Sequence, residues 1–223
     1  MSRLIALLLV VAIVLVTPAA LLSWYLSNGL QRDMQARRAV VRLYAGPIGI
    51  ARGRVRRLQF DVRGAAFNGS TVREIRGDLH GVRLSLPAAV GGHLSIRGLS
   101  AGRAEVVVDE TDLQRALANA RDIRGARVRL DDGTVTISGD VLVLNSSFPV
   151  EVTARLGLGR ERELVLRVET LNISGLAIPP GLANALMTDV NPILRAPEEP
   201  VPLRFTGVEV DDGRAVISGV PSP

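Results

Sequence analysis

Few residues in this chain have the means to do chemistry. The stretch "LDDGTVTISG" at 130–139 returns as "VDDGRAVISG" at 210–219, each copy setting two carboxylates ahead of a glycine. Paired carboxylates could hold a cation or a basic substrate, but neither copy has the alternating oxygen ligands and closing glutamate of a calcium loop. Turn grammar offers a second meaning, because Asp-Gly is a preferred two-residue type I′ hairpin pair. A third acidic run, "DETD" at 109–112, opens an apolar helical stripe, where carboxylates cap the helix and suit its dipole. Only His80 and His93 could serve as base or ligand histidines; each sits beside glycine, and no G-x-S-x-G elbow accompanies them. The chain has no cysteine and no lysine. That removes disulfides, thiolate nucleophiles, the usual zinc sets, the P-loop lysine and Schiff-base chemistry. No catalytic residue, metal site or cofactor is expected.

What the chain has instead is arginine and aliphatic surface. All 27 basic residues are arginine, and aromatics make up only 3% of the sequence. Residues 32–103 hold 14 Arg against 4 acids, while residues 104–223 hold 12 Arg against 18 acids. A basic half of this kind suits an anionic surface, phospholipid or nucleic acid, or is a solvated set of strand faces.

Residues 4–26 carry no charge and are long enough, as a helix, to cross a hydrocarbon core; Trp24 and Tyr25 stand at the far end. An uncleaved signal-anchor over 1–27 is the expectation, with a signal peptide cut near "TPAA" at 17–20 as the rival. Positive-inside counting of Arg32, Arg37, Arg38 and Arg42 would keep the remainder cytoplasmic, and does not by itself fix the side. From Ser27 to Tyr44 the spacing of Leu30, Met34, Val41 and Tyr44 predicts an amphipathic helix; it and the "GPIGIARG" linker fill residues 28–53.

Over 54–223 period-two alternation dominates, as in Leu58, Phe60 and Val62 or Ala104, Val106 and Val108. If Asp132-Gly133 is a two-residue turn, Leu130 opposes Val135 and Val128 opposes Ile137. In the second copy Val210 opposes Ala215 and Val208 opposes Ile217, so each hairpin keeps its aliphatic residues on one face. A turn at Ser146-Ser147 and the loop "GRERE" continue that face through Val150, Val152, Ala154, Leu156 and Leu158 to Leu164, Leu166 and Val168. Two helices interrupt the strands. One is capped by Thr111 and Gln114 and carries Leu113 and Leu117. The other starts near Pro180, places Leu182, Leu186, Val190 and Ile193 along one side, and ends or kinks at Pro192. The fold class is α+β and mostly antiparallel β. A long curved meander sheet wraps two or three amphipathic helices, preceded by one transmembrane helix.

Such a greasy face, beside an anchor and an arginine-rich flank, suits acyl chains. The apolar candidates are Phe60, Leu113, Leu117, Phe148, Leu182, Leu186, Val190, Ile193 and Phe205. Arg52, Arg54 and Arg56 would share one strand face and meet an anionic headgroup.

The order "RGRVRRLQFDVRGAAFNGSTVREIRGDLHGVRLSL", "AEVVVDETDLQRALA", "VRLDDGTVTISGDVLVLNSSFPVEVTARL", "LVLRVETLNISGLAIPPGL" and "VPLRFTGVEVDDGRAVISG" resembles the bacterial LmeA-like phospholipid-binding family over roughly residues 40–219. The resemblance implies an exported, envelope-facing protein with a fold similar to tubular lipid-binding proteins, the domain standing outside the cytoplasm. Its expected partners are anionic phospholipid and membrane, and an envelope protein if the chain scaffolds one; nucleic acid is not among them. The expected function is non-catalytic phospholipid binding or transfer from a membrane tether. The alternative is a structural envelope protein with a fully packed core.

Overall fold

The computed structural model describes residues 19–67, 70–91, 93–118, 123–143, 146–160, 162–186, 188, 191–196 and 203–221. A helix, α1, covers residues 19–33. Thirteen strands and four further helices follow: β1 (Arg38–Tyr44), α2 (Pro47–Ala51), β2 (Arg54–Phe67), β3 (Ser70–Leu84), α3 (Leu86–Val90), β4 (Ile96–Gly98), β5 (Ala101–Asp109), α4 (Glu110–Ala118), β6 (Ile123–Asp131), β7 (Thr134–Val143), β8 (Ser146–Leu158), β9 (Glu163–Ile173), β10 (Leu176–Ile178), α5 (Pro180–Leu186), β11 (Leu194–Arg195), β12 (Leu203–Asp211) and β13 (Arg214–Pro221).

The strands form two antiparallel sheets, not one continuous meander. Sheet A runs β1-β2-β3-β5-β13-β12, with β4 beside β3; sheet B runs β10-β9-β8-β7-β6, with β11 beside β9. The last hairpin therefore returns to β5 and leaves sheet B behind. Both Asp-Asp-Gly copies make the expected hairpins: Leu130 faces Val135, Val128 faces Ile137, Val210 faces Ala215 and Val208 faces Ile217. The turn is not type I′, because Gly133 (φ 75°) and Gly213 (φ 74°) take the left-handed conformation without their aspartates. The β7–β8 turn comes earlier than Ser146-Ser147, since Val143 already pairs with Ser146. The four-residue slide preserves parity, and the buried face through Val150, Val152 and Ala154 survives it.

On β2 and β3 the buried face switches twice. Leu58, Phe60 and Val62 are buried together, but so are Val55 and Ala65 on the opposite parity. The switches fall at Gly81 and Gly64, and the pairing register continues through both. The long ribbon thus coils, offering one face to the core at its middle and the other at its ends. Between the switches the Phe60 ring covers Gly77, where a Cβ would stand 2.1 Å from it. The buried side chains make one contiguous, almost wholly aliphatic cluster, with Phe60 and Phe205 as its aromatics.

The N-terminal elements differ from expectation. The helix expected to reach Tyr44 stops at residue 33, and the chain returns as edge strand β1, with Ala39, Val41 and Leu43 buried. Their period of two outweighs the helical spacing of Val41 and Tyr44, because pairing with β2 buries an entire strand face. Residues 38–44 are thus part of sheet A, and not of a linker before it. Residues 4–18 of the expected span lie outside the described residues. Its end is the start of α1, where Leu26 and Leu30 are fully packed against the domain. Among the described residues no helix is long and apolar enough to cross a membrane.

α1 also covers the free edge of β1. The Ser27 hydroxyl accepts from the Val41 amide at 2.8 Å, and the Ser23 hydroxyl accepts from the Leu43 amide at 3.3 Å. Side-chain oxygens here satisfy edge amides that another strand would otherwise pair.

Candidate functional site

Three regions hold the residues with functional potential. The first is the seam between sheet B and α4. Leu113 and Leu117 of α4 meet Val128, Val135, Ile137 and Leu166 of the sheet, and Ile193 closes the side. The void among them is only about 10 Å³, the size of one water, so the ligand-free seam is filled. Local sequence explains how α4 is set there. Asp109 Oδ1 accepts from the Asp112 amide at 2.8 Å and Asp112 Oδ2 from the Asp109 amide at 3.3 Å, a reciprocal cap two residues before the expected Thr111 and Gln114. Glu110 accepts from the Leu130 amide at 2.8 Å and ties the helix to the first Asp-Asp-Gly hairpin. The acidic run is thus structural. Burial, with the Asp109 charge behind it, raises the Asp112 carboxyl above its ordinary value.

The segment from α5 to Ile193 is held across the exposed edge of β9 by two side-chain amides. Asn184 bonds both the amide and the carbonyl of Val168, at 3.0 and 3.1 Å, and Asn191 does the same at Leu166, at 2.8 and 2.9 Å. Each asparagine replaces one residue of a missing strand between β10 and β11. The stripe predicted along this helix is not its buried side. Leu182 is 56% exposed and Ala183 is the residue at zero exposure. The helix spans Pro180–Leu186, ending before Pro192; the Leu186 side chain and Val190 lie outside the described residues.

The second region is a groove of about 590 Å³ on the outer face of sheet A, where Arg38, Arg42, Arg63, Arg76 and Arg103 alternate with Asp61, Asp78 and Glu105. Charge here is partly compensated. Arg57 forks onto Asp78 and pulls its carboxyl down to about 2, and Arg63 reaches Asp61 and Glu74.

The third region is a pocket of about 610 Å³ between α2 and the near ends of β2 and β3. Arg54, Arg56 and Arg83 line it beside Ile48 and Leu99, and no carboxylate does. Arg54 and Arg56 therefore come together as expected. Arg52 does not join them, because it follows α2 in a turn rather than on the strand. Arg83 takes its place, directly opposite Arg54 in the ladder. The signal for Arg83 is a pairing register, which a single strand's alternation does not contain.

The remaining candidates are scattered. Phe60 and Phe205 are core residues of sheet A, four strands apart, and Phe148 is half-buried on β8 opposite Val141. His80 lies 3.4 Å from Asp78 on the same strand, and His93, after α3, lies 3.0 Å from Asp33 at the end of α1; both histidines are exposed. Among the described residues no group of three metal-ligating side chains occurs.

The seam and the arginine pocket stand at opposite ends of β3. Thr71, bonded to Asp112 of α4, and Arg83 of the pocket are 12 positions apart, roughly 35–40 Å at strand rise. An acyl chain reaches about half a hydrocarbon core, roughly 15 Å. One lipid molecule cannot occupy both.

No curated protein and no solved structure matches the chain. A family model does: that of LmeA-like phospholipid-binding proteins covers residues 19–220, nearly all of the described fold, and the chain belongs to that family.

Proposed function

We propose that this chain is a non-catalytic phospholipid-binding or lipid-transfer protein of the bacterial cell envelope, tethered through its N-terminal apolar segment with the β-rich domain on the extracytoplasmic side. Acyl chains lie against the aliphatic face of sheet B, under α4 and Ile193, and the arginines of the α2 pocket meet anionic headgroups. The observation that carries this reading is the all-aliphatic seam of Leu113, Leu117, Val128, Val135, Ile137, Leu166 and Ile193 in a chain of a phospholipid-binding family. Its cover is a separate segment: the stretch carrying Ile193 is clasped to β9 by two asparagines and backbone bonds, and releasing it would open the seam. Native mass spectrometry and lipid analysis of the full chain, extracted from membranes in mild detergent, are expected to show bound phospholipid.

The filled state of the seam favours a second reading, a scaffolding envelope protein whose interior never admits lipid. That reading predicts a clean apo mass and no uptake of added phospholipid.

A further inference from the structure

We propose that the pocket between α2 and the ends of β2 and β3 takes the phosphodiester of a phospholipid that stays in the bilayer, and so sets this end of the domain onto the membrane. This rests on the phospholipid-binding reading above and deepens its headgroup contact, at a pocket roughly 35–40 Å from the seam and so on a different lipid molecule.

Charge comes first. Arg54 and Arg83 are direct cross-strand partners, and like charges so placed repel. Other arginines of sheet A, by contrast, are offset by a carboxylate, as Arg57 is by Asp78 and Arg73 by Asp109. The pocket lining has none, and among the described residues Arg54, Arg56 and Arg83 make no ion pair. The Arg83 guanidinium leans over Gly98 of β4, away from Arg54, where a Cβ would meet it at 3.1 Å. An anion between the strands would remove the repulsion and accept from both guanidinium groups.

The surroundings identify the anion's carrier. Ile48 is 69% exposed on α2 beside the pocket, and a free phosphate has no use for it. The Ser23–Leu43 bond sets the first turns of α1 beside the end of β1, which leads directly into α2. Trp24, Tyr25 and Tyr44 are exposed at this end, as side chains of the headgroup layer are. The uncharged stretch 4–18 enters α1 here too. Arginine and exposed aromatics thus share one pole of the molecule, at which α1 begins.

The chain has no cysteine, so single labels can be placed cleanly. Full-length protein carrying a bimane label at Ile48→Cys, or at Leu176→Cys on sheet B, is reconstituted into vesicles containing brominated phosphatidylglycerol. The label at position 48 is expected to be quenched and that at 176 not. Quenching at 48 falls about ten-fold or more in R54Q/R83Q, persists in the charge-matched R127Q/R129Q, and is absent in vesicles of brominated diglycosyl diacylglycerol, which lack phosphate. R83E gives a second variant, pairing with Arg54 to relieve the repulsion; it folds with a raised Tm and loses quenching. Equal quenching in glycolipid vesicles, or unchanged quenching in R54Q/R83Q and R83E, overturns the proposal. Loss of quenching with millimolar inorganic phosphate assigns the pocket to the free anion and overturns the lipid assignment. The seam is read separately by lipid co-purification: quenching without co-purified lipid removes the acyl-chain reading alone, and lipid carried by R54Q/R83Q without quenching supports both sites.

Discussion

The amide of Gly133 donates to the carbonyl of Val210 at 3.0 Å, and its counterpart Gly213 donates to the carbonyl of Leu130 at the same distance. The two Asp-Asp-Gly copies therefore meet. One belongs to sheet B and the other to sheet A, and their turns grip each other reciprocally where the sheets abut. The repeat that first reads as two carboxylate sites is a joint between sheets.

Gly133→Ala and Gly213→Ala test that joint. Nothing lies within 4 Å of an added Cβ at either position, so the cost is backbone strain at positive φ. Each is expected to lower stability by about 1 kcal/mol. A double-mutant cycle in urea is expected to show coupling, because the two strained turns share hydrogen bonds. Strict additivity would mean that the joint adds nothing.

Asn184→Ala and Asn191→Ala each strand a backbone amide and carbonyl on β9. The expected loss is about 1–3 kcal/mol apiece. Hydrogen exchange at the Val168 amide is expected to quicken in the first variant, and at the Leu166 amide in the second.

Leu117→Ala enlarges the seam and is expected to cost about 2–5 kcal/mol without ligand. Where acyl chains occupy that space, added phospholipid restores part of the loss, since a ligand that binds only the folded state stabilises it. The Tm gain on adding lipid is then larger for the variant than for the parent chain.

Acid brings out two carboxylates of opposite sign. Asp78, held at about 2 by its bonds to Arg57, contributes stability above its ordinary value of 3.8, and that contribution is lost as pH falls through about 2. Asp112 is raised by burial, so its ionisation costs stability as pH rises through its folded value. Asp78→Asn is expected to flatten the acid limb of a circular-dichroism unfolding profile, and Asp112→Asn to leave that limb steep.

Local pattern carried much of this fold. Alternation placed the buried faces of β5, β8 and β9, and the Asp-Gly spacing placed both hairpin registers, because period and turn length act between near neighbours. Partition into two sheets was not legible, since nothing local in Leu203 to Val210 says that β12 lies in sheet A with β13 and not beside β6. The first helix was misjudged for a related reason. Val41 fits a helical stripe and a strand equally well, and only its pairing with Phe60 decides. At the candidate sites, Leu113 and Leu117 converge because both sit on the apolar stripe of α4, whereas Ile193 arrives from beyond the end of α5, beside β11. Arg83 escaped notice because its significance is its opposite number, Arg54. Leu182 departs from the expectation because a seven-residue helix, anchored by Asn184 and packed through Ala183, turns it to solvent.

The serines of α1 set a limit on processing. Cleavage near residue 20 would leave Ser23, Ser27, Leu26 and Leu30 in place, with β1 still covered. Removal of α1 as a whole would bare the amides of Val41 and Leu43 and offer a ready template for lateral addition of a second molecule. A preparation trimmed past Ser27 is therefore expected to self-associate through sheet A, and the short helix α1 acts as the guard against fibre growth.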